Sequence, residues 1–237
     1  MGSPDRVVVM DDTLPQGEEK VRAVREMFDT IAPRYDLVNR IMTFGLDVRW
    51  RKQATQSLGL PAGSRVLDLA AGTGDFCREL ARGGLRPVGI DLSFGMLVAA
   101  RTDAPLVQGD ALRLSVPDRS VDGVTCGFAL RNLRALEPFF DELARVVRPG
   151  GRIALLDVAQ PVNPILRWGH AIYFGHVVPR IGGLLSDRAA YRYLPKSAAY
   201  LPPGDGMTTM LRASGFADAD RRLLSGGITQ LLTGTRS

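Results

Sequence analysis

Val66-Leu67-Asp68-Leu69-Ala70-Ala71-Gly72-Thr73-Gly74 is the stretch on which the fold turns. An apolar run carrying one acid, Arg65 to Ala70, leads straight into two glycines, and a helical pattern follows from Asp75 to Ala81. This reads as a buried strand, a tight turn and a helix. Gly72 and Gly74 permit backbone conformations closed to other residues and let main-chain N–H groups approach a ligand. The helix that follows would aim its positive N-terminus at the same place.

Outward from this unit the pattern alternates. Strands are expected at Arg86 to Asp91, Leu106 to Gln108, Val121 to Gly127 and Arg152 to Val158, with helices at Gly95 to Arg101 and Leu136 to Val147 between them. A last helix, Met207 to Ser214, precedes a hairpin of Arg221 to Leu224 and Ile228 to Thr233 around Ser225-Gly226-Gly227. The expected fold is therefore α/β, a doubly wound and mostly parallel seven-stranded sheet covered on both faces. Upstream, Val21, Val24, Met27, Phe28 and Ile31 mark a helix from Glu18 that ends at Pro33, followed by Leu37 to Phe44 and by a helix over Arg49 to Leu58. Residues 1–17 read as a loose tail and 18–237 as a single domain, with N-terminal helices over 18–60. The aromatic and apolar segment 161–203, with Trp168, Tyr173, Phe174, Tyr191, Tyr193 and Tyr200, interrupts the alternation and is expected to form a helical lid.

Composition narrows the class. Cys77 and Cys126 make neither a disulfide framework nor a metal-type pair, which suits a reducing cytoplasm. His170 and His176 stand six apart with no third ligand in view, so no metal site is expected. No secretory leader is evident, and no uncharged apolar run reaches the ~18 residues of a spanning helix. The net charge is +5; from Gln160 to Ser237 nine basic residues face four acidic ones, so all of the excess lies in the last third. A basic, apolar lid could meet the anionic inner face of a membrane, or it could be a solvated face.

The acids next to the glycine turn define a ligand. Asp68 sits in the strand before the turn, and the spacing lacks the third glycine of the dinucleotide fingerprint. A carboxylate there suits a cationic ligand, such as the sulfonium and ammonium of S-adenosylmethionine, better than a pyrophosphate. Asp91 ends the second strand, 23 residues after Asp68, where an acid accepts from ribose hydroxyls; the bland alternative is a helix cap. Asp110, after the third strand, falls where an adenine amino group is expected. Gly127, Arg131 and Asn132 follow the fourth strand and border the same crevice.

Several stretches carry a resemblance to a known family. The turn Leu67 to Asp75 resembles the first motif of class I methyltransferases. Phe28 to Asn39, with its Tyr35-Asp36-x-x-Asn39 box, Phe128-Ala129-Leu130-Arg131-Asn132 and Arg145 to Arg152 are similar to the C-methyltransferases of ubiquinone and menaquinone biosynthesis. So are Pro179 to Gly182, Ala190 to Leu194 and Gly226 to Ile228. The resemblance implies S-adenosylmethionine as cofactor and methylation of a ring carbon on a prenylated quinol, demethylmenaquinol first among the candidates. The expected partner is this lipid, not nucleic acid, and a homodimer is left open. By residue matching, Asp68, Gly72, Thr73, Gly74, Asp91, Asp110, Ala111 and Gly127 would hold the cofactor, Gly127 standing where the family often has serine. Tyr35, Asp110 and Arg131 would act near the ring, Arg131 steadying the phenolate and Tyr35 or a water near Asp110 relaying the proton. If Arg131 is instead structural, Asp110 or Asp122 is its expected partner. Asp157-Val158-Ala159 departs from the family's Glu-Phe-Ser-like stretch, Asp47 from a histidine, and Ser197-Ala198 from a Ser-Ile pair. These departures leave room for another phenolic, polyketide or sterol acceptor, methylated on carbon or oxygen. A non-catalytic subunit that binds the cofactor within a quinone-biosynthesis complex is the reading from another class.

Overall fold

The computed structural model describes residues 16–173, 175, 180 and 197–237. Seven strands form one sheet: β1 (Arg65–Leu69), β2 (Arg86–Asp91), β3 (Leu106–Gln108), β4 (Val121–Gly127), β5 (Val147–Val158), β6 (Asp220–Leu224) and β7 (Thr229–Thr235). Their order is β3-β2-β1-β4-β5-β7-β6. β1 to β5 pair in parallel; β7 runs antiparallel to both β5 and β6. The chain winds one way from β1 to β3 and the other way from β4, so β1 and β4 flank the point where a crevice opens at the strands' carboxyl ends.

Helices α1 (Gly17–Ile31), α2 (Tyr35–Met42) and α3 (Leu46–Leu58) precede the sheet. α4 (Asp75–Arg82), α5 (Phe94–Val98) and α6 (Leu136–Val146) link its strands, and α7 (Pro164–Ile172) and α8 (Gly206–Ala213) follow β5. Period-two alternation along the strands divides the core. Ile153 and Leu155 of β5 pack with Phe139, Phe140 and Leu143 of α6; Ala154 and Leu156 pack with Trp50 and Leu58 of α3 and Phe76 of α4. Each fully buried side chain of this size contributes about 1.5–3 kcal/mol.

Several boundaries differ from the sequence reading, among them the start of α3, which is Leu46 where Arg49 was expected. Pro33 ends α1, but the chain continues through a 3-10 turn, Ala32–Arg34, directly into α2. The expected Gly95 to Arg101 helix is the five-residue α5, started earlier by the Ser93 hydroxyl accepting from Met96 N. β5 begins at Val147, since Val121 of β4 pairs with Val147 and recruits the Pro149-Gly150-Gly151 stretch into the sheet across a register shift. Of the expected lid, α7 and a 3-10 turn, Ala198–Tyr200, are described. Residues 1–15 of the tail, and Phe174, His176, Tyr191, Tyr193 and most of 176–196 in the lid, lie outside the described residues.

Candidate active site

The turn after β1 is built from left-handed backbone: φ is +52° at Ala70, +56° at Gly72 and +81° at Gly74. A Cβ on Gly74 would stand 2.5 Å from Thr102 Cγ2, so glycine is required there. The amides are not used as the sequence suggested. Gly72 N donates to Asp91 Oδ2 at 2.7 Å, and Gly74 N donates to Ala71 O at 2.9 Å. Both N–H groups expected to face a ligand are therefore engaged within the chain; the turn uses one of them to aim Asp91. A Cβ on Gly72 would meet nothing within 4 Å, because this position borders open cavity.

That cavity, about 130 Å³, is bounded by Gly72, Asp91, Gly109, Asp110, Ala111 and Gly127, and α1 roofs it with Val21, Val24 and Phe28. The Asp91 carboxylate also accepts from Ser93 N at 2.8 Å. Ser93, not Asp91, caps α5, which leaves the acid facing the cavity. Burial pushes the Asp91 carboxyl above the usual range. Asp110 Oδ1 accepts from Leu112 N at 2.9 Å, which fixes this exposed acid at the cavity's rim. Asn132 is buried against the cavity, and neither end of its amide has a partner among the described residues. An orphaned donor and acceptor beside an open glycine turn fits a ligand with polar edges.

Past Gly72 the cavity continues into a small pocket bounded by Asp68, Thr73, Arg51, Tyr35 and Phe128. Asp68 is buried, accepting from Thr125 Oγ1 at 3.0 Å and Cys77 Sγ at 3.4 Å, and burial pushes its carboxyl up to about 7. The Thr73 hydroxyl donates to Asp36 of the Tyr-Asp-x-x-Asn box, which ties α2 to the turn. Gly127 lines both spaces; a serine Cβ here would lie 3.0 Å from the Phe76 ring, so the family's usual side chain would need Phe76 to give.

A second cavity, about 380 Å³, lies on the other side of Tyr35 and Phe128. Its walls are mostly apolar, among them Ile31, Met42, Trp50, Ile165 and Tyr173. Tyr35 and Phe128 line all three spaces. Phe128 holds this junction with φ +61°, an uncommon backbone for a bulky residue. Tyr35 stacks edge-on against Phe28, 5.8 Å between centroids, and accepts from Asn39; burial raises its phenol above the ordinary range, so it carries its proton at neutral pH.

Arg131 lines the apolar cavity. Its ion-pair partner is neither Asp110 nor Asp122 but Asp157, at the end of β5, a fully buried acid that also accepts from Arg131 N at 3.2 Å. Asp122 instead pairs with Arg148 at 2.6 Å. Arg131 Nε donates to Ser197 Oγ at 3.1 Å, where the lid returns to the sheet. Asp110 borders the first cavity but not the apolar one, so the structure does not bring it to the place expected for a proton relay. The sequence reading passed over Arg51 and Asp29 as functional positions and marked Asp157 only as a departure from the resemblance that bears on the acceptor, not as the partner of Arg131. The available signals were an acid closing the fifth strand, where acids close the second, and the i, i+4 pair Asp47–Arg51 on a helix otherwise apolar at Trp50 and Ala54. Among the described residues no three His, Cys, Asp or Glu side chains converge as metal ligands do.

Two adjoining cavities, one bringing acids and an unpartnered amide to a glycine turn and one walled mostly by apolar side chains, suit transfer of a group from a soluble donor to an apolar acceptor. Known proteins bear on which group. The ubiquinone/menaquinone biosynthesis C-methyltransferase of Syntrophotalea carbinolica is 42% identical over 222 residues, covering 90% of this chain and 94% of that one. The demethylmenaquinone methyltransferase of Roseiflexus castenholzii is 41% identical, covering 95% and 98%. Among solved structures, phosphoethanolamine N-methyltransferase 2 of Haemonchus contortus, in complex with S-adenosyl-L-methionine, superposes with a TM-score of 0.58 at 14% identity; the match covers 78% of this chain and 52% of that one and shows the fold alone. S-adenosylmethionine is the cofactor. Residues 15–236 match one family throughout, and the chain belongs to it: the ubiE/COQ5 methyltransferase family.

Proposed function

We propose that this enzyme methylates a ring carbon of a prenylated quinol, demethylmenaquinol in particular. The observation that carries the reading is the apolar cavity that meets the cofactor cavity at Tyr35 and Phe128. An aromatic ring fits against Phe128 and Trp50, and a prenyl tail against the Met42, Ile165 and Tyr173 walls. Of the relatives named above, one is called a ubiquinone/menaquinone biosynthesis C-methyltransferase and the other a demethylmenaquinone methyltransferase.

Asp110 and Ala111 hold the adenine end of the cofactor, Asp91 the ribose, and Asp68, Gly72 and Thr73 the amino-acid end. When bound, the cofactor supplies a methyl group activated on a sulfonium. The protein supplies alignment and exclusion of water. A quinol carbon becomes nucleophilic as its neighbouring hydroxyl loses a proton to bulk water at the mouth of the apolar cavity; the ring proton that the methyl group displaces then returns to that oxygen, so one proton is released per turnover. Arg131, held on the cavity wall by Asp157, stabilises the oxyanion that develops, and protonated Tyr35 donates a hydrogen bond beside it.

The acceptor would arrive from a membrane. Phe44, Ile165 and Trp168 are 79%, 78% and 71% exposed, and the first two also line the apolar cavity. α7 carries Arg167 and no acid, and Arg34 and Arg40 are exposed at α2. No helix among the described residues is long and apolar enough to cross a membrane, so the contact would be peripheral. The deciding experiment incubates the enzyme with methyl-labelled S-adenosylmethionine and demethylmenaquinol, with a benzoquinol in parallel. Label on the naphthoquinol ring is expected. Label on neither acceptor, with cofactor binding intact, would overturn the quinol assignment in favour of another phenol.

A further inference from the structure

We infer that Arg51 receives the carboxylate of the cofactor's amino-acid end, opposite Asp68, which receives the ammonium. The inference rests on the cofactor assignment and on the orientation proposed above. With adenine at Asp110 and ribose at Asp91, the remaining arm of the cofactor runs past Gly72 into the small pocket. Among the residues that line this pocket, Arg51 is the one cation. Its guanidinium is buried, on the helix that carries Trp50 against the core, and it passes over the Phe128 ring at 5.9 Å.

The surrounding charges leave Arg51 available to an anion. It pairs with Asp47 at 2.6 Å and Asp75 at 3.3 Å. Neither acid depends on it alone: Arg40 approaches Asp47 at 3.7 Å and Asp75 at 3.9 Å, and Arg78 binds Asp75. Across the pocket, Asp68 accepts from the Thr125 hydroxyl and the Cys77 thiol, and among the described residues no cation pairs with it. A cation on one wall and a carboxylate without a cation on the other form a receptor for a zwitterion. The α-amino acid end of the cofactor is a zwitterion; a nucleotide phosphate would meet Asp68 unfavourably. Arg51 also lines the apolar cavity, so a ligated carboxylate would fix this arm at the boundary with the acceptor.

Calorimetry with the full chain tests this. Wild-type protein should bind S-adenosylmethionine on the order of tenfold or more tighter than decarboxylated S-adenosylmethionine, which keeps the ammonium and sulfonium. In Arg51→Gln that preference should vanish, while affinity for methylthioadenosine, which has no amino-acid arm, stays unchanged and reports an intact adenosine site. Arg51→Lys should retain part of the preference. A preference kept in Arg51→Gln would overturn the inference, as would a wild type that binds both cofactors equally, a comparison that needs no variant. Failure of the wild type to bind any of the three would instead strike the cofactor assignment itself.

Discussion

Single side chains carry most of the chemistry here, and their environments set its dependence on pH. Burial raises Asp68 to about 7, above the carboxylate range of an unfolded chain. The folded protein therefore holds a proton that the unfolded chain releases, and this group's contribution to stability is present below the unfolded pKa and lost as pH rises toward 7. A cationic ligand favours the carboxylate and lowers that pKa. Cofactor binding near pH 6.5 should consequently release a proton and tighten as pH rises toward 8. Calorimetry in buffers of differing ionisation enthalpy would measure the release, and Asp68→Asn should abolish most of it. Arg131 is expected to be needed for turnover, but Arg131→Ala alone would leave Asp157 buried and unpaired, at a cost of about 3–5 kcal/mol. Thermal melts should show that loss, and Arg131→Leu with Asp157→Leu should recover much of the melting temperature while methyl transfer stays absent. Recovery of transfer in the double variant would remove Arg131 from the chemistry. Asp91, Asp110 and Gly127 were legible as cavity residues because their places at strand ends follow from local pattern. The Arg131–Asp157 pair was not, since it joins residues 26 apart through the register of β4 and β5. For the same reason the Gly72 amide was misread: its acceptor, Asp91, sits on the neighbouring strand.

At the scale of elements, α1 closes the cofactor cavity through a few polar contacts. Asp29 Oδ1 accepts from Ser93 Oγ at 2.6 Å and from Gly95 N at 2.8 Å, binding the end of α1 to the start of α5. At the other end, Lys20 Nζ donates to Leu133 O at 2.7 Å and lies 3.4 Å over the Tyr200 ring. Asp29→Ala removes the first anchor and leaves Gly95 N and the Ser93 hydroxyl proton without an acceptor, a loss of about 1–3 kcal/mol. Amide exchange in α1 should rise, and the affinity for S-adenosylhomocysteine should fall several-fold. Unaltered exchange in α1 would mean the roof is held from elsewhere. The existence of α1 was evident in its apolar spacing. Its role as a roof was not, because helical periodicity names a buried face without naming what it covers. β5 shows the converse: Pro149-Gly150-Gly151 reads locally as a stop, but Val147 before it and Arg152 after it both pair with β4, and Gly150 and Gly151 bond to the Arg236 backbone, so the strand runs through.

The molecule as a whole offers two kinds of surface. The exposed apolar side chains of α7 and of the α2–α3 turn rim the mouth of the apolar cavity, beside arginines. Replacing Phe44, Ile165 and Trp168 together by serine should lower sedimentation with anionic vesicles. It should also lower kcat/KM for a long-tailed quinol presented in those vesicles, with little effect on a short-chain, water-soluble analogue. Equal loss on both substrates would assign these residues to the cavity alone. The alternation of strands and helices announced a doubly wound, mostly parallel sheet, since that follows from the order of elements; the strand order that puts the reversal between β1 and β4 is set by pairing in the fold. The apolar cavity could not be read there, because its walls come from α1, α2, α3, the β4–α6 connection, the end of β5, α7 and the β6–β7 connection, parts brought together only by folding.

The shared wall formed by Tyr35 and Phe128 has a kinetic consequence. On the proposed function, donor and acceptor would occupy separate chambers, one roofed by α1 and the other rimmed by α2 and α7, so neither would have to leave before the other enters. Direct transfer between two co-resident molecules would then need no side chain to store the methyl group. Initial rates measured against both reactants would then give intersecting double-reciprocal lines, with the spent donor competing against fresh donor and not against the quinol.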